Sequence, residues 1–146
     1  MKAVFLKTLP IILIIIAIWI PRALALDQFV TVDEQKWLTR SANYYQALIL
    51  TDFENTYQRD HPGVTTMWAG TIGFLWQFPD YIRETPGQHK QHLTKDFKSY
   101  LEHRGYDPLQ LLVAGRFIFL IGTLIVLTLS FISATRLVGL IPAVVG

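Results

Sequence analysis

The sequence predicts an all-α membrane protein: two complete transmembrane helices, amphipathic interfacial helices in a long external loop, and the start of a third span. Two uncharged apolar runs predict the spans, residues 9–21 and residues 117–135, the second bracketed by Arg116 and Arg136. A third observation is the helical recurrence of apolar and aromatic side chains through the region between them. Composition supports the class. With 51% apolar and 16% charged residues the chain is not of the disordered type. It contains no cysteine, which excludes a disulfide scaffold and a thiolate metal site. The net charge of +2 comes from basic residues scattered along the chain, so there is no dense basic face for nucleic acid.

The first run, extended to residues 8–26, is interrupted only by Arg22. About 20 apolar residues cross the hydrocarbon, and an arginine near one end can reach the headgroups. The second run has nineteen uncharged residues. A third begins at Leu137 and reaches Gly146, too short to span and read as the opening of a helix that was cut off. Lys2 and Lys7 precede the first span and Arg136 follows the second, which places both ends in the cytoplasm by the positive-inside rule. The expected organisation is a first span over residues 1–26, an extracytoplasmic loop over 27–110, a second span over 111–136 and the start of a further span over 137–146. The expected location is the plasma (inner) membrane, as a multi-pass protein. A cleaved signal peptide ending at Ala23-Leu24-Ala25 is the rival reading. Against it stand Pro21-Arg22, where a signal is normally neutral, and the second span.

Within the loop, Thr31-Val32-Asp33-Glu34 has the T-x-x-E form of a capping box and should start a helix. Trp37, Leu38, Ala42, Tyr45, Leu48 and Ile49 fall on one side of it, with Lys36, Arg40 and Asn43 elsewhere. Such a stripe suits either the bilayer interface or a protein core. Residues 62–79 contain no charge, and Pro62 is a good first helical residue. Val64, Met67, Trp68, Ile72, Leu75 and Trp76 share a side, but the threonines, Gln77 and glycines make a poor span, so an interfacial or partly re-entrant helix is expected. Residues 79–108 are the most hydrophilic part, with Phe97, Tyr100 and Leu101 as one weak apolar edge, and read as a solvated excursion.

Two constellations carry candidate chemistry. Asp33 and Glu34, close after the first span, put carboxylates where one can act as general base towards an acceptor hydroxyl or amine. The structural alternative is that Glu34 closes the capping box and Asp33 favours the positive helix end. Arg59-Asp60-His61-Pro62-Gly63 places an arginine and a histidine before a helix start, a candidate phosphate site, with an ordinary polar turn as the alternative. His89, His92 and His103 fit no compact metal site, and no cofactor is expected. Arg22, Arg116 and Arg136 read as span-end anchors. Phosphate-cradling glycine loops, H-E-x-x-H and G-x-S-x-G are missing from the sequence.

In order, the chain presents a span ending in Arg22, the acidic pair Asp33-Glu34, Asp60-His61-Pro62-Gly63 with an aromatic-bearing run to Trp68, and an arginine-bounded span from Gly115-Arg116-Phe117 to Gly139. This combination resembles the N-terminal part of the GT-C superfamily of integral-membrane glycosyltransferases, near the protein O-mannosyltransferases and lipid A aminoarabinose transferases. The resemblance implies transfer of a sugar, with inversion, from a polyprenyl-phosphate donor to a protein or lipid acceptor outside the cytoplasm. It implies Asp33 as the acceptor-activating base with Glu34 supporting it, and Arg59 and His61 near the donor phosphate. Some relatives have a lysine and paired prolines where this chain has His61 and Pro62-Gly63. Such enzymes have many spans, so the chain is expected to be an N-terminal fragment, inactive alone. The alternative from a different class is a small non-enzymatic two-span membrane subunit whose external loop binds a partner protein.

Overall fold

In the computed structural model, residues 2–28, 30–58, 63–90 and 94–145 are described. Helix makes up 78% of the protein, and there is no strand among the described residues. The elements are α1 (Lys2–Ala23), α2 (Val32–Ile49), a 3₁₀ turn (Glu54–Thr56), α3 (Val64–Gln77), a single turn α4 (Tyr81–Glu84), α5 (Thr94–His103), α6 (Pro108–Val138) and α7 (Leu140–Val145). They form two compact units, one of Met1–Ala25 with Leu120–Gly146 and one of Leu26–Phe119.

The first unit is apolar and turned outward. In α1, Leu13, Ile16, Trp19 and Ile20 are all exposed, and Pro10 and Pro21 lie inside the helix. The Arg22 guanidinium turns back to donate to the Ile18 carbonyl at 3.3 Å. Its described apolar part, Leu9–Ala23, is shorter than a full span. Helix α6 is different. Its 31 residues, about 47 Å at ~1.5 Å each, exceed the ~30 Å hydrocarbon layer. Among the described residues it is the one helix long and apolar enough to cross a membrane. Its start follows from local chemistry: Asp107 Oδ1 accepts the Leu109 N–H at 2.9 Å, and Pro108 occupies the first helical position, where no donor is needed. Its end is set by Gly139, whose φ of +89° suits only a residue without a side chain. The third apolar run is therefore separate from α6 only after this break, as α7.

The second unit is a packed domain around α2. Leu38, Ala42 and Tyr45 of α2 meet Phe74 and Phe78 from the α3 end, Tyr81 of α4, Phe97 and Leu101 of α5, and Leu111 of α6. Half of the α2 stripe is thus core, Trp37 and Leu48 are half-buried, and Ile49 is exposed. The other side is buried too: Thr39, Arg40, Ser41 and Asn43, away from the stripe, are each at most 4% exposed. Close approach of backbones makes this possible. A Cβ on Gly70 of α3 would stand 2.1 Å from Ser41 Oγ, and one on Gly73 would stand 3.0 Å from the Gly115 amide nitrogen of α6. With 14 residues, α3 is ~21 Å long and too short to cross the hydrocarbon layer.

Residues 79–107 also differ from the expected solvated excursion. Tyr81, Phe97 and Leu101 are fully buried, and Phe78 stacks on Tyr106 at 3.5 Å. A polar clasp holds the described part of this segment to α2. The Asn43 side chain accepts the His89 N–H at 2.8 Å and donates to the His89 carbonyl at 2.7 Å, copying one rung of backbone pairing. Gln88 Nε2 donates to the Asn43 carbonyl at 3.0 Å. Buried polar groups demand such partners, and Asn43 supplies them to chain 46 residues away.

Candidate functional site

The acidic pair stands at the start of α2, and the helix start itself separates the two carboxylates. Thr31 is the N-cap in extended conformation, so the next residues enter the helix in order: Val32, Asp33, Glu34. Glu34 therefore reaches back over the helix end, where the Thr31 N–H donates to its Oε2 at 2.7 Å and the Thr31 hydroxyl at 3.3 Å. Its other oxygen, Oε1, accepts from Arg116 Nη2 at 2.6 Å and Nε at 2.8 Å. The third guanidinium nitrogen, Nη1, donates to the Gln28 carbonyl at 3.1 Å and to that of Leu26. One arginine in the first turns of α6 thus ties together the chain leading into α2 and the α2 start itself. The two side chains are 19% and 12% exposed, dry enough for the pair to matter structurally.

Asp33 is placed otherwise. Its side chain is 66% exposed, and its ion partner among the described residues is Lys36 Nζ at 3.4 Å, an i,i+3 contact in water. Pairs of this kind contribute little and are readily exchanged. Of two adjacent carboxylates, one is committed through both oxygens and one is accessible. The positive end of α2 favours a carboxylate in either position.

The second constellation, Arg59 with His61, lies outside the described residues, as do Asp60 and Pro62. Its approaches are described. Gln58 is held by Asn43 at 3.3 Å and by the Asn55 carbonyl at 2.7 Å, and Gly63 caps α3. Of the histidines considered as ligands, His92 is outside the described residues. His103 Nδ1 lies 2.6 Å from the Ser99 carbonyl on its own helix. His89 packs its ring on Phe97 and Tyr100, with Nε2 3.3 Å from Thr85 Oγ1. Burial disfavours the charged imidazole of His89 and lowers its pKa below the usual histidine value. Burial likewise raises the phenols of Tyr81 and Tyr100. Among the described residues, no group of three acidic or histidine side chains is arranged to hold a metal ion.

Sequence reasoning missed the role of Arg116, which pairs with Glu34 in addition to flanking the apolar run. The available signal was an arginine inside a helix that continues without charge for nineteen residues, a setting in which a cation needs a partner. Asn43 was missed for the opposite reason, since a lone asparagine on an amphipathic helix reads as solvated. No protein-family model, no curated protein and no solved structure matches this chain.

Proposed function

We propose that the chain serves a membrane glycosyltransferase of the GT-C type, with the Leu26–Phe119 unit on the extracytoplasmic side presenting Asp33 to the acceptor. The observation that carries this reading is the division of labour in the acidic pair: Glu34 is held by Arg116 and Thr31, and Asp33 beside it is open to a substrate. In the reaction, Asp33 takes the proton of an acceptor hydroxyl or amine. The acceptor attacks the anomeric carbon, and the polyprenyl phosphate leaves with the bonding electrons. Arg59 and His61 are the proposed contacts of that phosphate.

The membrane arrangement belongs to the same proposal. Helices α1 and α6 are the two spans, with Lys2, Lys7 and Arg136 on the cytoplasmic side. Helix α3 lies in the interface. Its Val64, Trp68, Ile72, Leu75 and Trp76 are exposed on a common side, while Met67, Gly73 and Phe74 face the core.

In the intact protein, Asp33→Asn should lower hexose transfer from a labelled polyprenyl-phosphate donor by ~10²–10⁴-fold while membrane insertion is unchanged. Near-normal transfer by that variant removes Asp33 from the mechanism. A second reading, a non-enzymatic membrane subunit that binds a partner protein, draws on Phe53 and Tyr57, which are 69% and 79% exposed beside the 3₁₀ turn. It is favoured if Asp33→Asn is silent and Phe53→Ser with Tyr57→Ser abolishes co-purification of a partner.

A further inference from the structure

A groove of about 410 Å³ runs between α3 and the first turns of α6. Leu26, Trp76, Val113 and Phe117 supply its walls, Gln77 and Gln110 their amides, and Asp27 is the one charged lining residue. Trp76 and Phe117 close on each other at 6.0 Å between ring centroids. Trp76 remains 58% exposed. It is also the last member of the outward α3 stripe, so groove and stripe meet at this side chain.

Two features decide what covers this surface. The groove's second wall is α6, which continues without a break as the helix long and apolar enough to cross a membrane. In the membrane arrangement proposed above, the surface begins on the helix that enters the hydrocarbon, and lipid is the adjoining medium. The second feature is charge. A single carboxylate with two neutral amides at an otherwise apolar slot complements an ammonium and repels an anionic headgroup.

We propose that this groove holds one acyl chain of an ethanolamine phospholipid, with the headgroup ammonium at Asp27. The site is separate from the acidic pair at the α2 start. It rests on the interfacial placement of α3 given above and not on the transfer chemistry.

The test uses the full chain in vesicles of equal phosphatidylethanolamine and phosphatidylglycerol, extracted in mild detergent and weighed by native mass spectrometry. The expected result is one retained phospholipid, predominantly phosphatidylethanolamine. Val113→Trp and, independently, Gln110→Trp fill the slot and should each leave roughly tenfold less retained lipid, as if a pair of methylenes had lost contact, with unchanged helicity by circular dichroism. Asp27→Asn should keep the lipid and level the two headgroups. Absence of retained lipid, or retention untouched by both filling variants, overturns the proposal. So does an unaltered headgroup preference in Asp27→Asn. A companion measurement separates the two layers of the argument. With Trp19, Trp37 and Trp76 replaced by phenylalanine, quenching of Trp68 by brominated lipid reports α3 alone. If Trp68 is not quenched, the interfacial placement fails and the groove proposal with it. Quenching without retained lipid overturns the groove alone.

Discussion

The two units of this chain spend similar side chains in opposite ways. In the unit of Met1–Ala25 with Leu120–Gly146, large aliphatics face outward, with Leu13, Val126 and Leu129 all more than half exposed. In the Leu26–Phe119 unit, Phe74, Phe78, Tyr81, Phe97 and Leu101 are buried to within 1%. The difference is in what covers the apolar side chains: in the second unit the protein itself does, and in the first it leaves these three more than half uncovered. An apolar side chain gains by leaving water, and it gains nothing by moving from hydrocarbon into a protein core. The second unit is organised by that gain, and the polar groups taken in with it find partners there: the capping box, the Arg116 pair and the Asn43 clasp.

The sharpest way to break the comparison is a matched pair of truncations. Phe74→Ala should cost ~3–5 kcal/mol through the lost burial and the cavity left behind, whereas Leu129→Ala, more than half uncovered already, should cost about 1 kcal/mol or less. Denaturant unfolding of the chain in lipid nanodiscs measures both, and equal losses would end the distinction. Next in size is Arg116→Ala. It strands Glu34, buried to 12% exposure, and should cost about 3 kcal/mol. Faster hydrogen exchange at residues 30–36 is the local readout, and unchanged exchange there would show that the pair is dispensable.

Smaller effects probe the seams. Gly70→Ala pushes a methyl into Ser41 and should cost ~1–3 kcal/mol, with Ser41→Gly in the same chain restoring much of it. Simple additivity of the two changes would place the strain elsewhere. The smallest effect is the pH dependence of the clasp. Because burial lowers the His89 pKa in the folded state, the folded form binds that proton less readily than the unfolded form. Stability from this group is present above the ordinary value of 6.5 and is lost as pH falls through it towards the lowered folded value. Exchange at residues 85–90 should quicken over that range, and His89→Gln should flatten the trend.

The sequence made much of this legible wherever the signal was local. The start of α2 at Thr31 and the long α6 could both be read from short windows, because caps and hydrophobic runs act over one to a few turns. The two helical stripes were legible, but what each would face was not, since core and interface both want the same pattern. Periodicity set Arg40 and Asn43 apart from the α2 stripe but could not say that a central helix is surrounded, so that its polar residues also lie inside. The core in residues 79–107 was hidden because Tyr81 sits on a single turn, too short to show a period, and the edge of Phe97, Tyr100 and Leu101 spans little more than one turn. At the candidate site, Asp33 and Glu34 were visible as a pair and the capping box was visible with them, but the hold on the second Glu34 oxygen comes from Arg116. That residue is 82 positions further along, a distance no sequence window covers.

That separation is also a delay. At about 5–20 residues per second of synthesis, the ribosome makes Arg116 roughly 4–16 s after Glu34. Through that interval Glu34 has Thr31 but not the guanidinium, and the α2 start is a loosely capped helix end. The hold on Glu34 is completed only when the first turns of α6 emerge, so the order of the chain makes the candidate site one of the last parts of its unit to be finished.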